Sequence, residues 1–402
     1  MLTNSIFENR LLLQIAAFWL SLPIISLPAL ANIKTKNSDP PKSEAARVSI
    51  ANDSKQFGDT FWNNTRIVPL LLYSPETSVM FGAGTLTLID LEDADPDRPS
   101  SVSLFGMYTL NQQVALIAGH ELRGAQDRHV LQQTFRFIDW PDRFYGIGNS
   151  QETDIKIEDD NGARNYIKLT DQYFQLESEY QYQPVQNVYI GLGHHWRHSD
   201  TPGIESEADA YDFADTRGVG QTIWSGIRPS LAYDSRDRLL WPSKGLFIRG
   251  ESTLYRGELG SDFDAQFYRF DARGYVQLFT HQVLAIRTVF QRATGQVPFQ
   301  RLPALGGSEL FRGWYLGRLR DRSLNCNQIE SRHEVGPKMA VIGFAALGRV
   351  APTLSELSPS GYHLAGGAGF RYALNQEQRA HLRFDLAYGA DLEFYFQFKE
   401  AF

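Results

Sequence analysis

Histidine, serine and aspartate side chains that could do chemistry stand close together at one point of the 402-residue chain. They are His194 and His195, followed by His198, Ser199 and Asp200, a set that could form a hydrolytic Ser–His pair or a metal site. On an extended strand, His194 and His198 face one side and Ser199 faces the other, so the pairing geometry is poor. A hydrolase is therefore the weakest of the functions considered below.

Other catalytic motifs are absent from the sequence. It contains no G-x-S-x-G nucleophile turn, no H-E-x-x-H metal motif and no glycine loop of the kind that cradles phosphate. The single cysteine, Cys326, can form neither an internal disulfide nor a cysteine-based metal cluster. We therefore predict that the protein is not an enzyme and needs no metal or cofactor.

The charge of the chain argues against a nucleic-acid partner. The formal net charge is -7 and the pI is about 5.8, so the protein presents no overall basic field. No block of Lys and Arg interleaved with aromatic residues occurs either. We predict that the protein does not bind nucleic acid.

The N-terminus has the organisation of an export signal. Arg10 precedes an apolar run from Leu11 to Leu30, and small residues follow at Ala29 and Ala31. This order matches the charged, apolar and cleavage regions of a secretory signal peptide. We predict a signal peptide over residues 1–31, cleaved after Ala31. The alternative is an uncleaved anchor helix, but two prolines interrupt the run and no basic flank follows it.

The remainder of the chain divides into a polar segment and a long region of strands. Residues 32–65 are polar and lack periodicity, which predicts a flexible periplasmic segment. From residue 66 to 402, aromatic and β-branched residues alternate with polar ones between Gly, Pro, Asn and Asp turns. We count about 16 strands in this region, and we expect the last to run from 392 to 402.

These strands predict an all-β, transmembrane antiparallel β-barrel. After the N-terminus no stretch reaches the roughly 18 to 20 apolar residues that a membrane helix needs, which excludes a helical membrane protein. A barrel is compatible with this sequence because its strands alternate apolar and polar side chains, and closure removes the open sheet edge that a bilayer forbids. A soluble β-sandwich also alternates, but it rarely needs so many long consecutive strands.

One strand illustrates the expected faces. The lipid-facing set in the segment 188–197 would be Val188, Ile190, Leu192 and Trp196. The set facing a polar lumen would be Tyr189, Gly191, Gly193, His195 and Arg197.

The last predicted strand carries a row of aromatic residues. Phe394, Phe396 and Phe398 share one face with Leu392, and the sequence stops at Phe402. A row of this kind resembles the recognition signal by which barrel proteins are handed to the outer-membrane assembly machinery. We therefore expect these four phenylalanines to form a C-terminal assembly signal, with that machinery as a partner during insertion.

Two motifs carry a resemblance to a known family. The first occupies residues 301–324 and contains Gly306, Gly307, Leu310, Arg312, Gly313 and Trp314. The second is a turn motif of Asp234, Arg236, Asp237, Pro242 and Gly245. Together they resemble the barrel of the BamA/TamA outer-membrane family, also called the bacterial surface-antigen barrel. The first motif is similar to that family's inward-folded loop between strands 11 and 12, and the resemblance spans residues 66–402.

The resemblance also implies how the loop is anchored. The family's loop arginine, here Arg312, meets acidic and aromatic residues of the two following strands, which implies Glu330 and Phe344 as its partners. The acid that the family commonly has on the second of these strands is replaced by Ala346. We therefore expect a weaker anchor, or one that depends on Glu330 alone.

For function, the resemblance implies insertion or translocation of outer-membrane proteins or lipids, or another step of envelope biogenesis, in the bacterial outer membrane. Members also carry periplasmic substrate-binding domains, for which residues 32–65 are too few, so we expect a form without them. The implied partners are outer-membrane lipid, lipopolysaccharide and a periplasmic protein. The acidic run 200–215 could bind divalent cations that bridge lipopolysaccharide, but a solvated extracellular loop is the favoured interpretation. A channel or structural barrel without client activity is the main alternative, and an outer-membrane hydrolase the weaker one.

Overall fold

The computed structural model describes residues 65–89, 100–125, 127–150, 155, 157–159, 162–202, 217–373, 381–398 and 400–402. The predicted signal peptide and almost all of the predicted periplasmic segment lie outside the described residues. The described part of the acidic run is limited to its first residues, from 200 to 202.

Among the described residues, sixteen antiparallel strands close into a single barrel, which confirms the predicted fold. The barrel consists of β1–β5, β8–β13 and β16–β20, and two short hairpins, β6–β7 and β14–β15, lie in its connections. The bounds are β1 (Thr65–Ser74), β2 (Ser78–Ile89), β3 (Ser100–Thr109), β4 (Val114–Gly124), β5 (His129–Phe144), β6 (Ile157–Asp159), β7 (Gly162–Arg164), β8 (Ile167–Val185), β9 (Val188–Asp200), β10 (Thr222–Asp234), β11 (Gly245–Tyr255), β12 (Ala265–Phe279), β13 (Gln282–Gly295), β14 (Ala304–Leu305), β15 (Leu319–Arg320), β16 (Ser323–Gly336), β17 (Met339–Ala351), β18 (His363–Ala373), β19 (His381–Tyr388) and β20 (Leu392–Phe398).

Helical structure in the described residues is limited to single turns. They are the 3-10 turns Gly257–Leu259 and Phe299–Arg301 and the α-helical turn Gly307–Leu310. No helix of the described chain has the length and apolar character needed to span a membrane.

The barrel wall is apolar outside and charged inside. On β9, Ile190 and Leu192 are 54% and 61% exposed, whereas His195 and Arg197 are 2% and 7% exposed. These values confirm the two predicted faces of this strand. Other strands of the barrel show the same arrangement, with exposed apolar side chains on the outer face and buried arginines and carboxylates on the inner face. Such a surface is stable where the surrounding solvent is lipid.

The first and last strands meet at a short seam. In the described chain, β1 and β20 have one pair of residues in register, Tyr73 opposite Phe396, whereas β1 and β2 pair along ten residues. We call the end of the barrel where β1 begins and β20 ends the terminal rim, and the other end the loop rim. Tyr73 lies near the loop rim, so the part of β1 nearest the terminal rim lacks a register partner on β20.

The last strand ends earlier than its sequence pattern indicates. It stops at Phe398 instead of continuing to Phe402. Beyond it, Glu400 and Phe402 are buried, and the Glu400 carboxylate lies 2.7 Å from Arg371 Nε on the inner face of β18. Alternation alone could not predict this departure, because it depends on an ion pair made inside the barrel.

Candidate functional site

The connection between β13 and β16, residues 296–322, is the inward loop, and it joins strands 11 and 12 of the barrel. Its tip contacts distant parts of the inner wall. The Tyr315 hydroxyl donates to Asp142 Oδ1 on β5 at 2.8 Å, and the Leu316 amide donates to Glu76 Oε1 in the β1–β2 turn at 3.0 Å. On the other side, the Gly313 amide donates to the Tyr395 hydroxyl of β20 at 3.0 Å. The loop therefore crosses the lumen.

Glycines allow the sharp turns of the inward loop. Gly306 and Gly313 have φ values of 130° and 90°, which side-chain-bearing residues rarely adopt. A Cβ atom at Gly306 would lie 2.1 Å from the Tyr315 carbonyl oxygen, and one at Gly313 would lie 2.7 Å from the Gly389 amide nitrogen. Gly307, with φ 80°, donates from its amide to the Trp314 carbonyl at 2.8 Å and closes the tip.

Arg312 is the most completely bound residue of the tip. It is 3% exposed, and its Nη2 donates to Glu330 Oε2 on β16 at 3.0 Å. Nη1 donates to Asp385 Oδ2 on β19 at 2.8 Å, and the guanidinium lies 3.4 Å from the ring centroid of Phe344. The planar guanidinium thus has two carboxylates at its edge and an aromatic ring on its face, which its geometry suits.

The second carboxylate was missed by sequence reasoning. Because Ala346 replaces the family's acid, we expected a weaker anchor or one that depends on Glu330 alone, but Asp385 supplies a second carboxylate from β19. A signal existed in the alternating His381, Arg383 and Asp385, which place charges on one face of a strand. The sequence does not show that β19 lies beside the tip of the inward loop.

Ala346 itself lies in an apolar pocket that receives the inward loop. The pocket is one buried cluster: Val289, Leu305, Phe311, Trp314, Leu319, Leu324, Cys326, Ala346, Val350 and Ala365, with Leu310 packed against it. Trp314 is 3% exposed, and its indole N–H donates to the Leu364 carbonyl at 3.4 Å. The Cys326 thiol donates to the Leu310 carbonyl at 3.2 Å. Apolar side chains of the inward loop therefore pack against Ala346, where burial of a carboxylate would cost free energy.

The turn motif shapes the connection between β10 and β11 at the terminal rim. Asp234 accepts from the Arg236 guanidinium at 2.9 and 2.8 Å, and Asp237 Oδ1 accepts from the Ser243 amide at 2.9 Å. Gly245 has φ 104°, and a Cβ there would lie 2.3 Å from the Ser235 carbonyl oxygen. The Pro242 carbonyl accepts from Arg332 Nη1 at 3.5 Å.

This connection places Trp241 inside the barrel. Trp241 is 1% exposed, and its ring lies 4.3 Å from the ring of His381 and 4.6 Å from the Arg332 guanidinium. It also packs with Phe344 and Tyr395. The turn is evident from the sequence but the burial of this side chain is not, because an isolated tryptophan in a turn carries no periodic signal.

The carboxyl group of Asp237 is tuned by the turn. Partial burial alone would raise its pKa, but hydrogen bonds from the Ser243 hydroxyl and from the Ser243 and Lys244 amides outweigh this effect. The net result is a pKa below the ordinary aspartate value. The turn is therefore built around an ionised Asp237.

The structure places one of the four phenylalanines of the expected assembly signal, Phe402, away from β20. Phe394 is 44% exposed, and Phe396 stacks on Phe384 with 4.5 Å between ring centroids. The backbone of Phe398 pairs with Leu382. Phe402 is 6% exposed and packs inside the barrel with Tyr275, Ala285 and Ala401. Phe402 thus does not continue the row on β20.

The histidine and serine residues of the hydrolase alternative are not brought together. Ser199 Oγ donates to Asp171 Oδ1 at 2.8 Å, whereas His195 Nδ1 lies 3.2 Å from the Tyr255 hydroxyl. His194 faces outward, with Nε2 3.2 Å from Ser225 Oγ. No group of three or more His, Cys, Asp or Glu side chains suited to a metal ion occurs in the part of the chain that the structure describes.

Comparison with solved structures finds barrels of similar fold. BamA from Haemophilus ducreyi lacking POTRA domains 1-3 is 13% identical, with a TM-score of 0.57, and the match covers 84% of this chain and 70% of that chain. CdiB from Acinetobacter baumannii is 12% identical, with a TM-score of 0.53 and coverage of 83% and 59%. CdiB from Escherichia coli is 9% identical, with a TM-score of 0.54 and coverage of 82% and 61%.

At these identities the likeness shows the fold alone, and the chain spans less than two thirds of either CdiB structure. Comparison with curated proteins finds no match. The family is shown by a separate comparison, in which the Omp85 superfamily domain matches residues 119–398. This match covers well over half of the chain and runs from β4 through the inward loop to the end of β20, so the protein belongs to the Omp85 superfamily.

Proposed function

We propose that this barrel inserts or translocates other outer-membrane proteins at the seam between β1 and β20. Membership of the Omp85 superfamily implies a place in the Gram-negative outer membrane, and members are insertion and transport barrels. The barrel would act there among lipid and lipopolysaccharide, after its own insertion by the assembly machinery. A periplasmic protein would deliver the client.

The observation that supports the proposal is the single register pair of the seam. Toward the terminal rim, Ile67 and Leu71 of β1 are 72% and 56% exposed, and neither has a register partner on β20. Unpaired backbone groups facing hydrocarbon cost several kcal/mol each, by an order-of-magnitude estimate of about 2 to 7. A client strand that paired with this edge would satisfy those groups, as in other cases of strand addition.

The position of the inward loop favours the seam over the lumen as the route of a client strand. Its tip contacts β5, β16, β19 and β20 from inside and so lies across the lumen. A client strand would have to displace the buried Arg312 anchor to pass through the lumen, whereas the terminal-rim part of β1 has no register partner on β20 in the described chain.

A reversible lock of the seam tests the proposal. Tyr73→Cys with Phe396→Cys, in a Cys326→Ser background, places two thiols at the paired position, where a disulfide can form. We would measure the folding rate of an unfolded small barrel protein added to liposomes that contain this protein. We expect the reduced form to accelerate folding and the oxidised form to lose the effect, because a client strand that pairs along β1 from its terminal-rim end must displace Phe396 from Tyr73 before the seam can open.

The matched control joins β12 to β13 through Phe270→Cys and Phe290→Cys, which are also paired in register and face outward but lie on strands far from the seam. It should keep its activity when oxidised. Equal activity of the reduced and oxidised seam variants would rule out the seam as the route. No acceleration by any form, including the parent, would rule out insertion itself.

A further inference from the structure

Three arginines form a binding site on the inner wall near the terminal rim. Arg287 on β13, Arg332 on β16 and Arg371 on β18 are 3%, 1% and 0% exposed. We call them, with the apolar floor of Tyr275 and Ala285, the luminal arginine site. Arginines so completely removed from water need partners, and part of what they bind is the segment that follows β20.

The segment Glu400–Phe402 fills this site with both side chains and backbone. Arg371 Nε donates to Glu400 Oε2 at 2.7 Å, Arg287 Nη1 donates to the Ala401 carbonyl at 3.3 Å, and Arg332 Nη2 donates to the Phe402 carbonyl at 2.8 Å. The Phe402 ring lies 5.9 Å from the Arg287 guanidinium and 5.8 Å from that of Arg332. The site is thus occupied by an acidic side chain and an aromatic side chain two residues apart.

Two of these arginines, Arg332 and Arg371, are connected to the tip of the inward loop by two carboxylates. The Glu330 carboxylate accepts from Arg312 Nη2 with one oxygen, at 3.0 Å, and from Arg332 Nε with the other, at 2.8 Å. The Asp385 carboxylate accepts from Arg312 Nη1 at 2.8 Å and from Arg371 Nη1 at 2.6 Å, again with separate oxygens. Each carboxylate thus bridges the loop arginine and one arginine of the luminal site.

Two relays through carboxylates therefore join Arg312 to the segment after β20, beside a direct link in which Arg287 Nη1 donates to the Glu309 carbonyl of the loop at 3.4 Å and to the Ala401 carbonyl. The first is Arg312, Glu330, Arg332 and the Phe402 carbonyl. The second is Arg312, Asp385, Arg371 and the Glu400 carboxylate. All of these side chains are buried, so salt screens their interactions far less than those of surface charges. If Glu330 or Asp385 loses Arg312, the carboxylate is free to reorient toward Arg332 or Arg371. That change alters how the arginine binds the Phe402 carbonyl or the Glu400 carboxylate.

We propose that Glu400–Phe402 is an intramolecular ligand of the luminal arginine site, and that the inward loop and this segment hold each other in place through the two relays. Coupling between two sites is reciprocal, because each site must change the other by the same free energy. Loosening the loop tip therefore loosens the segment, and loosening the segment loosens the tip. This inference does not depend on insertion activity.

Thiol labelling of the refolded full-length barrel in detergent tests the coupling. Ala401→Cys with Cys326→Ser places a thiol in the buried segment, and its reaction with a maleimide reports release of the segment. We expect Arg312→Ala to raise the labelling rate about tenfold, within the range typical of coupled sites. Arg322→Ala is the matched control, since the Arg322 side chain binds the Gly295 carbonyl at the loop base, away from the relays, and should leave the rate unchanged.

The reverse direction uses the native thiol. Cys326 lies against the loop tip through its bond to the Leu310 carbonyl and is fully buried. Phe402→Ala and Glu400→Gln should each raise the labelling rate of Cys326 by a factor similar to that found at position 401. A third thiol, Ala115→Cys with Cys326→Ser, lies on β4 and should stay protected in every variant, since it reports opening of the whole barrel.

Faster labelling at position 401 in Arg312→Ala, with position 115 still protected, supports the coupling. An unchanged rate at position 401 would overturn it, and so would labelling that rises equally at positions 401 and 115. Protection of Cys326 that is unaffected by Phe402→Ala and Glu400→Gln would refute reciprocity.

Discussion

Charge balance in the anchor cluster predicts an unusual order of mutational effects. The arginine–carboxylate ion pairs around the loop tip, as far as the described residues show, join four arginines to three carboxylates: Arg312, Arg332, Arg371 and Arg383 with Glu330, Asp385 and Glu400. Arg312→Ala leaves three of each. Asp385→Asn leaves four arginines against two carboxylates. The loss of the carboxylate should therefore destabilise the barrel more than the loss of the loop arginine does.

The magnitudes follow from burial. Removing one partner of a buried ion pair costs about 3 to 5 kcal/mol when the other charge is left alone, and we expect Asp385→Asn to fall in this range. After Arg312→Ala, Glu330 keeps Arg332 and Asp385 keeps Arg371, so we expect about 2 to 3 kcal/mol, of which about 1 reflects the lost contact with the Phe344 ring. Arg322→Ala, the control in the same loop, should cost about 1 kcal/mol or less.

The unfolding rate at a fixed temperature measures these effects, because a large barrel of this kind is best compared kinetically. Unfolding can be followed by the mobility shift on semi-native gels. If the whole loss appears in unfolding, about 2 to 3 kcal/mol corresponds to roughly 30- to 150-fold faster unfolding for Arg312→Ala. An Arg312→Ala variant that unfolds faster than Asp385→Asn would refute the charge-balance reasoning, and rates equal to the parent in both would show that the cluster does not hold the loop.

Further predictions concern the pocket, the loop glycine, the turn and the lumen. Ala346→Asp, although it restores the family's acid, should destabilise the barrel by about 3 to 5 kcal/mol in the same gel assay, since it buries a carboxylate among mostly apolar side chains, where the Gln328 side-chain amide opposite Ala346 is a donor but carries no balancing charge; a stabilised variant would contradict this. Gly313→Ala should cost about 2 kcal/mol or more because of its positive φ and the 2.7 Å approach to Gly389, whereas Gly124→Ala, which meets nothing within 4 Å, should cost about 1 or less. Because the pKa of Asp237 is lowered, its contribution to stability is full above the unfolded value of about 3.9 and is lost as pH falls below it. Asp237→Asn should therefore flatten the pH profile of unfolding in that acidic range, and an unchanged profile would contradict this. In planar bilayers, deletion of Leu302 to Arg322 should turn small currents into large steady ones, while large steady currents in the parent would favour the channel alternative.

The sequence predicted correctly those features that depend on the residues of a single strand. Alternation gave the faces of β9 because each side chain's direction depends only on its position in the strand. The barrel, its strand number and its family followed from the same local pattern and from the loop and turn motifs. Asp385, Trp241 and the burial of Phe402 could not be found in this way. Each depends on which strands and loops meet across the lumen. The alternation of apolar and polar residues along one strand contains no information about such contacts.

These cross-lumen contacts determine how the seam can open. At the loop rim the inward loop straddles the seam: its Leu316 amide binds Glu76 beside β1, and its Gly313 carbonyl accepts from the Ala390 amide beside β20 at 2.9 Å. At the terminal rim nothing comparable joins the two strands in the described chain, because the segment after β20 binds the luminal arginines instead. The seam is therefore held at one end and free at the other. Opening should begin at the terminal rim, and its extent toward the loop rim should be limited by the bond between Leu316 and Glu76.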